Sequence, residues 1–157
     1  MESTVAWNEV EALFSRGRSF AVATVDADGA PRVSPIGSVF LTGEGRGFYF
    51  EKFTRAMRAN LDRDPRLCIM AVDGSKWFWL GALKRGRFNR YPALRLMCSA
   101  GPRRAAAPEE QQGWLDKVKG LRFFKGHDLL WKDMNHVREF TVQRVEPVEL
   151  GRMNPQG

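Results

Sequence analysis

Apolar residues near the start of the chain recur at the spacing of an α-helix. A capping-box-like pattern begins at Asn8, and a glycine at position 17 marks the end of the segment. We therefore predict one short amphipathic helix in this region. Its apolar face consists of Val10, Leu13 and Phe14.

The pattern then changes to the alternation of a β-hairpin. Ser19–Val25 is predicted as a strand, "DADG" as a tight turn, and Ala30–Leu41 as the returning strand. Pro35 lies inside the second strand, so we expect that strand at a sheet edge or a bulge, where a missing N–H removes no ladder hydrogen bond.

A strand followed by a helix is predicted in the next segment. Phe48–Phe50 has strand character, and Thr54 stands where a helix N-cap is expected. The helix runs from Arg55 to about Arg63, because the Asp-Pro pair that follows disfavours further helix.

The remainder alternates between apolar runs and turn formers. Strands are predicted at 66–72, 76–83, 91–101 and 136–150, a linker at 102–107, a helix at 108–120 and a further helical turn at 127–134. Six or seven strands with short turns and few helices indicate a closed or nearly closed barrel. A chain of 157 residues is expected to form one domain over residues 1–157.

The composition of the chain bears on its solubility and on where in the cell it is expected. The first residues lack the basic start and apolar run of a signal peptide, and no apolar stretch approaches about 18 residues. We expect a soluble, unexported, cytoplasmic protein without a membrane partner. Cys68 and Cys98 are then expected to be reduced, buried thiols, and His127 and His136 lack the spacing of a metal site.

Positive charge is concentrated in the middle third of the chain. The net charge is +7, and residues 51–104 carry thirteen basic and four acidic side chains, whereas the flanking thirds are balanced or acidic. Such an excess is typical of a protein with an anionic partner, either a nucleic-acid backbone or a smaller phosphate. A solvated basic face without a partner is the alternative.

The segment "RGFYFEKF" partly matches the aromatic strand of an RNA-recognition motif. Five of seven specified positions fit, but that fold needs a helix between its first two strands, and "DADG" leaves no room for one. An aromatic strand is also more often part of a core than a platform for bases. Nucleic acid is therefore the disfavoured partner.

The residues after this strand favour a phosphate. If Thr54 begins a helix, its hydroxyl and the first free N–H groups converge at the positive end of the helix dipole, beside Arg55 and Arg58. An ordinary cap followed by arginines on a solvated face is the alternative.

Two segments carry a resemblance to a known family. "FAVATVDADGAPRVSPIGSVF" and "FYFEKFTRAMRANLDRDPRLCIMAV" resemble the FMN-binding split-barrel proteins related to pyridoxamine 5′-phosphate oxidase. The resemblance extends from about Phe20 to Val72, a third of the chain. It implies a mainly β (α+β) fold, a six- to seven-stranded antiparallel split β-barrel with short flanking helices.

The resemblance also implies a set of cofactor-binding residues. Part of the returning strand of the hairpin would lie along the flavin, the segment that begins at the end of the aromatic strand would touch the isoalloxazine edge and ribityl chain, and the start of the helix would hold the phosphate. These residues are Arg32, Val33, Ser34, Pro35 and Ile36; Phe50, Glu51 and Lys52; and Thr54 and Arg55. Ala56 replaces the family's lysine, and Arg58 or Lys52 is the candidate for that charge.

The function implied is an FMN-dependent oxidoreductase acting on an unidentified small molecule. The resemblance also implies a homodimer with the flavin at the interface, where basic residues and tryptophans between Trp77 and Trp131 would line a shared cleft. No catalytic residue stands out, and "WKDMNHVREF" reverses the order of the substrate-binding pattern of the vitamin oxidase. A split barrel that binds a deazaflavin or haem, and a nucleic-acid-binding barrel, remain alternatives.

Overall fold

A computed structural model describes residues 2–3 and 5–155 of the chain. Helices α1 to α5 are Trp7–Arg16, Arg55–Arg63, Lys76–Arg85, Pro108–Val118 and Gly126–Trp131. Strands β1 to β8 are Glu2–Ser3, Phe20–Val25, Pro31–Ile36, Val39–Gly43, Arg46–Phe50, Arg66–Val72, Ala93–Ala105 and His136–Pro147. Two single-turn 3-10 helices lie at Lys119–Leu121 and Gly151–Met153.

The strands form one sheet that curls into a split barrel. Its order is β3-β2-β6-β7-β8-β5-β4, every neighbouring pair in that order is antiparallel, and β1 adds a short parallel pairing to β8. The edge strands β3 and β4 are consecutive in the chain and are joined by Gly37 and Ser38 alone. Because two residues span only about 7 Å, the two edges must approach each other. The predicted fold class is confirmed.

The main core fills the barrel and lies under α1. Strand β2 alternates buried and half-buried residues, as its period-2 pattern predicts, and the apolar face of α1 is buried as expected. Tyr49, Ile69 and Leu96 are fully buried at the centre. Burial of this apolar surface is the main term that stabilises the barrel.

Strand β5 is buried on both faces. Tyr49 lies in the main core, whereas Phe48 and Phe50 face the other way, into a second cluster with Trp114 of α4. Phe48 is 6% exposed and Phe50 2%. Because α4 covers this face of β5, the strand does not present an open row of rings to nucleic-acid bases.

The predicted strand Ala30–Leu41 is in fact two strands. β3 ends at Ile36 and pairs with β2 at one edge of the sheet, and β4 begins at Val39 and pairs with β5 at the other. Ile36 and Val39 are both buried although they lie three positions apart, which a single strand with period-2 alternation does not allow. The first helix also differs slightly, since it begins at Trp7, ahead of Asn8.

The predicted strand at 76–83 is wrong, because this segment forms α3. The Ser75 hydroxyl accepts a hydrogen bond from the Phe78 N–H, and Gly86 ends the helix with a φ of 71°. Trp77 is therefore 84% exposed, while Trp79 packs against Phe88 in a small satellite cluster.

The predicted linker at 102–107 is also wrong. β7 continues to Ala105, where it pairs with the start of β8. The two cysteines are unpaired thiols on β6 and β7, and burial raises the pKa of each. Within the described ranges, no helix is both long enough and apolar enough to cross a membrane.

Candidate functional site

A cavity of about 190 Å³ lies where β5 ends, between the β3–β4 junction and the α4–α5 region. We call it the β5–α2 cavity. It is lined by Pro35, Ile36, Gly37, Ser38, Phe50, Lys52, Phe53, Thr54, Trp114, Leu130, Trp131 and Met134. Among these described residues Lys52 is the one charged side chain, so the cavity suits a neutral or anionic ligand.

Thr54 occupies the position before α2, as predicted, but its side chain does not cap the helix. The hydroxyl oxygen is buried, and within the described structure it has no hydrogen-bond partner. Among the described residues no side chain caps the first turn of α2, which begins at the exposed Arg55. In the described part of the chain Arg55 also has no ion pair. A buried hydroxyl, free helix N–H groups and a guanidinium are the donors that an anion such as phosphate requires.

Lys52 connects the loop after β5 to α5. Its ammonium donates to the carbonyl oxygens of Leu129 and Leu130, each at 3.4 Å, and lies 5.0 Å from the centre of the Phe53 ring. These hydrogen bonds are long, so they hold the ammonium at the cavity wall without fixing it tightly. Phe53 is 66% exposed and offers an aromatic surface at the entrance.

The β3–β4 junction forms the opposite wall. The Ser38 hydroxyl accepts a hydrogen bond from the Phe50 N–H at 3.2 Å, which fixes the junction to the end of β5. At Gly37 an added Cβ would lie 3.2 Å from the carbonyl oxygen of Arg18, so a larger residue would force the wall to move. The chain therefore changes sheet edge at the place where it borders the cavity.

Aromatic residues from α4 and α5 close the cavity. The Trp114 and Trp131 rings meet edge to face at 6.2 Å, and Trp114 also contacts the Phe50 ring at 6.1 Å. The Trp114 indole N–H is buried and has no hydrogen-bond partner among the described residues. This wall is rigid and apolar, which suits a planar ring.

Glu51 lies between two cavity residues, but its carboxylate points elsewhere. Arg138 of β8 donates to both Glu51 oxygens at 3.0 and 3.3 Å, and to Asp62 of α2 at 2.7 Å. The hydrogen bond from Arg138 lowers the pKa of Asp62. Arg58 lies 3.9 Å from Asp62 on the same helix. The buried pair thus anchors the loop that carries Lys52 and Thr54 and does not itself line the cavity.

The structure brings five of the eleven sequence-predicted site residues into one cavity, and a sixth lies beside it. Pro35, Ile36, Phe50, Lys52 and Thr54 line one cavity, with Arg55 at the adjacent helix start. The remaining five do not line it: Arg32 pairs with Asp26, Val33 and Ser34 lie further along β3, and Glu51 and Arg58 join the Arg138 group.

Sequence reasoning missed the wall formed by Gly37, Ser38, Trp114, Trp131 and Met134. The Pro-Ile-Gly-Ser segment carried a turn signal that could have indicated the junction. No local feature of the sequence indicates that residues of α4 and α5 contact the end of a strand sixty or more positions earlier.

A larger hollow of about 500 Å³ lies on the outer face of β2, β6 and β7. Two arginines line it, but Arg66 is paired with Asp64 and Arg144 with Glu146. Their charges are already neutralised locally, so this hollow is a poorer anion site than the β5–α2 cavity.

Comparisons with known proteins concern the chain as a whole. A family model described as pyridoxamine 5′-phosphate oxidase matches residues 6–150. No curated protein matches the chain.

Three solved structures illustrate the relatives in fold. An FMN-binding protein from Syntrophomonas wolfei is 14% identical, with a TM-score of 0.58 and 92% of each chain covered. An F420 reductase is 14% identical, with a TM-score of 0.58 and 87% of this chain and 94% of that chain covered. HutZ, the haem storage protein from Vibrio cholerae, is 19% identical, with a TM-score of 0.56 and with 89% of this chain and 92% of that chain covered. At these identities the similarity shows a shared fold.

Proposed function

Because this chain belongs to the pyridoxamine 5′-phosphate oxidase family, we propose that it is a flavoprotein that binds FMN in the β5–α2 cavity. We further propose that it is an oxidoreductase acting on a small molecule. The observation that carries the proposal is the buried Thr54 hydroxyl at the start of α2, next to Arg55, since within the described part of the chain neither group has a polar partner.

The phosphate of FMN would be held at this helix start. Thr54 would donate its hydroxyl proton, the first N–H groups of α2 would donate along the helix axis, and Arg55 would supply positive charge. Each charge-assisted hydrogen bond of this kind contributes about 1.5–3 kcal/mol. Lys52 is the second cation near the cavity and takes the place of the family lysine that Ala56 replaces.

The rest of the cavity would bind the planar part of the cofactor. Pro35 and Ile36 lie on one side, and Phe50, Trp114 and Trp131 form an apolar wall on the other. Bound flavin supplies the electron transfer, while these residues orient the ring and exclude water from it. The hydrogen bond between Ser38 and Phe50 fixes the β3–β4 junction to the end of β5, and the Glu51–Arg138 pair anchors the loop that follows.

We also propose that the protein acts as a homodimer with the flavin at the interface. The cavity of one chain, about 190 Å³, is smaller than the roughly 300–1,000 Å³ of typical ligand sites. A second copy would supply the missing enclosure, and the exposed Phe53 ring lies at the open side. Sedimentation with and without FMN tests this part of the proposal.

Relatives in fold include an F420 reductase and a haem storage protein, so cofactor identity needs a direct measurement. The absorbance spectrum after purification and after incubation with FMN distinguishes the cases. Flavin bands support the proposal, a Soret band indicates haem, and a deazaflavin gives a different near-ultraviolet spectrum. A sample that stays colourless with excess FMN contradicts FMN binding.

The phosphate clamp is tested by comparing two ligands. Thr54→Val and Arg55→Ala should each weaken FMN about tenfold or more and leave riboflavin nearly unchanged, because only FMN carries the phosphate. Arg63→Ala removes the same charge from the far end of α2 and serves as the control. Equal losses for FMN and riboflavin would show that the phosphate binds elsewhere.

A further inference from the structure

We propose that the chain has a second ligand site beside the β5–α2 cavity, and that this site takes a small aromatic anion. The site is a cleft of about 670 Å³ between the end of α1 and α4, which we call the α1–α4 cleft. Its volume lies within the range of small-molecule sites. It is lined by Ser15, Arg16, Gly17, Arg18, Gly37, Trp114, Lys117, Val118, Gly120, Leu121 and Trp131.

The charge of the lining identifies the ligand as an anion. Among the described residues, three cationic side chains line the cleft and no carboxylate does. Arg16 is partly neutralised by Asp73, 3.4 Å away. Within the described structure Arg18 and Lys117 have no ion pair, so two positive charges at the cleft remain uncompensated.

Lys117 is held in position by aromatic rings. Its ammonium lies 5.1 Å from the centre of the Phe40 ring and 5.8 Å from that of Phe20. These contacts support the ammonium without cancelling its charge. An anionic group on a ligand would therefore find a placed cation at the cleft.

The apolar wall of the cleft identifies the ligand as aromatic. Trp114 and Trp131 meet at an interplanar angle of 81°, and Val118 and Leu121 continue the apolar surface. Offset and edge-to-face ring contacts of this kind favour a planar partner. The buried Trp114 N–H, which has no hydrogen-bond partner among the described residues, is a donor left for a ligand.

The cleft adjoins the proposed cofactor site. Gly37, Trp114 and Trp131 line both spaces, so the two are separated by one layer of residues. A role for the aromatic anion as the substrate of the flavin rests on the proposed function. The existence of the anion site does not depend on it.

The test uses two probes with the same ring system. 8-Anilinonaphthalene-1-sulfonate carries a sulfonate, and N-phenyl-1-naphthylamine does not. Binding to FMN-free protein is followed by probe fluorescence and by quenching of the tryptophans. Lys117→Met and Arg18→Met should each weaken the sulfonate about tenfold and leave the neutral probe unchanged. Both side chains are exposed, so we expect the variants to fold; Lys84→Met on α3 is the charge-matched control.

Each outcome decides the inference. A selective loss of the sulfonate in the two cleft variants supports it. Equal losses for both probes, or no loss for either, overturn it. The exposed Phe123 and Phe124 rings offer a competing surface. If Phe123→Ser abolishes binding and the cleft variants do not, the cleft is not the site. FMN affinity is measured separately by flavin absorbance, so failure of either proposal leaves the other to be judged alone.

Discussion

The ion pair between Arg138 and Glu51 provides a sharp test of how this fold is held together. Both side chains are almost fully buried, with 5% of the Arg138 surface and 3% of the Glu51 surface exposed. Arg138 donates two hydrogen bonds to the Glu51 carboxylate. Arg138→Met keeps most of the volume of the side chain and removes its charge. The Glu51 carboxylate would then be buried without its main partner.

The expected cost follows from that geometry. Removing one partner of a buried ion pair lowers the free energy of unfolding by about 3–5 kcal/mol, because the charge that remains is buried without a partner. Arg103 lies 3.8 Å from Glu51 and offsets part of this loss, so we expect the lower end, about 3 kcal/mol. The lost contact to Asp62 adds little, since that carboxylate is 55% exposed. For a chain of this size the midpoint of thermal unfolding should fall by about 6–12 °C.

The assay is a double-mutant cycle followed by urea and thermal unfolding. Arg138→Met, Glu51→Gln and the double variant are compared with the parent protein. Because the double variant leaves neither Glu51 nor Arg138 as a buried charge without its partner, we expect it to recover about 2 kcal/mol relative to the sum of the single variants. Arg66→Met is the control, since it breaks an arginine–carboxylate pair in which the arginine is 77% exposed.

Two results would refute this reasoning. One is a loss in Arg138→Met no larger than that in Arg66→Met. The other is strict additivity in the double variant, which would show that the two groups do not interact energetically. The cycle also bears on the candidate site, because Glu51 stands between Phe50 and Lys52. Arg138→Met should therefore weaken FMN binding, and the double variant should restore part of it.

Two further predictions concern stability. Burial raises the pKa of Asp73, but hydrogen bonds from Arg90 and the Ser75 N–H outweigh it and hold the pKa below its usual value. The stability that the ionised Asp73 contributes is complete above about pH 4 and is lost as the pH falls through its folded-state pKa. Asp73→Asn should therefore lower the free energy of unfolding at pH 7. Near pH 3 the difference in stability between the variant and the parent should be smaller. Gly47→Ala should destabilise by about 1–3 kcal/mol, because its Cβ would overlap the Phe140 ring; Gly113→Ala, in open space on α4, should be neutral or slightly stabilising.

Urea unfolding at the two pH values checks the first of these, and a pH-independent difference would contradict it. Thermal unfolding checks the glycines. Equal midpoints for Gly47→Ala and Gly113→Ala would show that β5 and β8 are less tightly packed than the contact implies.

Local patterns determined much of the secondary structure. Helices α1 and α2, the hairpin of β2 and β3, and the strands β6 and β8 each follow from periodicity and turn residues within a few positions. The start of α2 at Thr54 belongs to this group, because an N-cap is a local feature. The phosphate-binding residues proposed there were therefore accessible from sequence.

Segments that fit two periodicities were not determined by periodicity alone. "KWFWLGAL" is aromatic enough for a strand and of the right length for a helix. It forms α3 because Ser75 and Gly86 close both ends and Phe78 packs on Phe88. The aromatic alternation of β5 was likewise ambiguous until α4 covered its second face.

The sequence by itself established a mainly β barrel, the strand-to-helix boundary after β5 and a candidate phosphate site at Thr54 and Arg55. Only the tertiary structure decided that Trp114 and Trp131 enclose that site and that Glu51 pairs with Arg138. The physical reason is the same in each case. A hydrogen-bonded turn or cap involves neighbours in the chain, whereas cavity walls and buried ion pairs join residues about sixty to ninety positions apart, and these meet only once the sheet has curled.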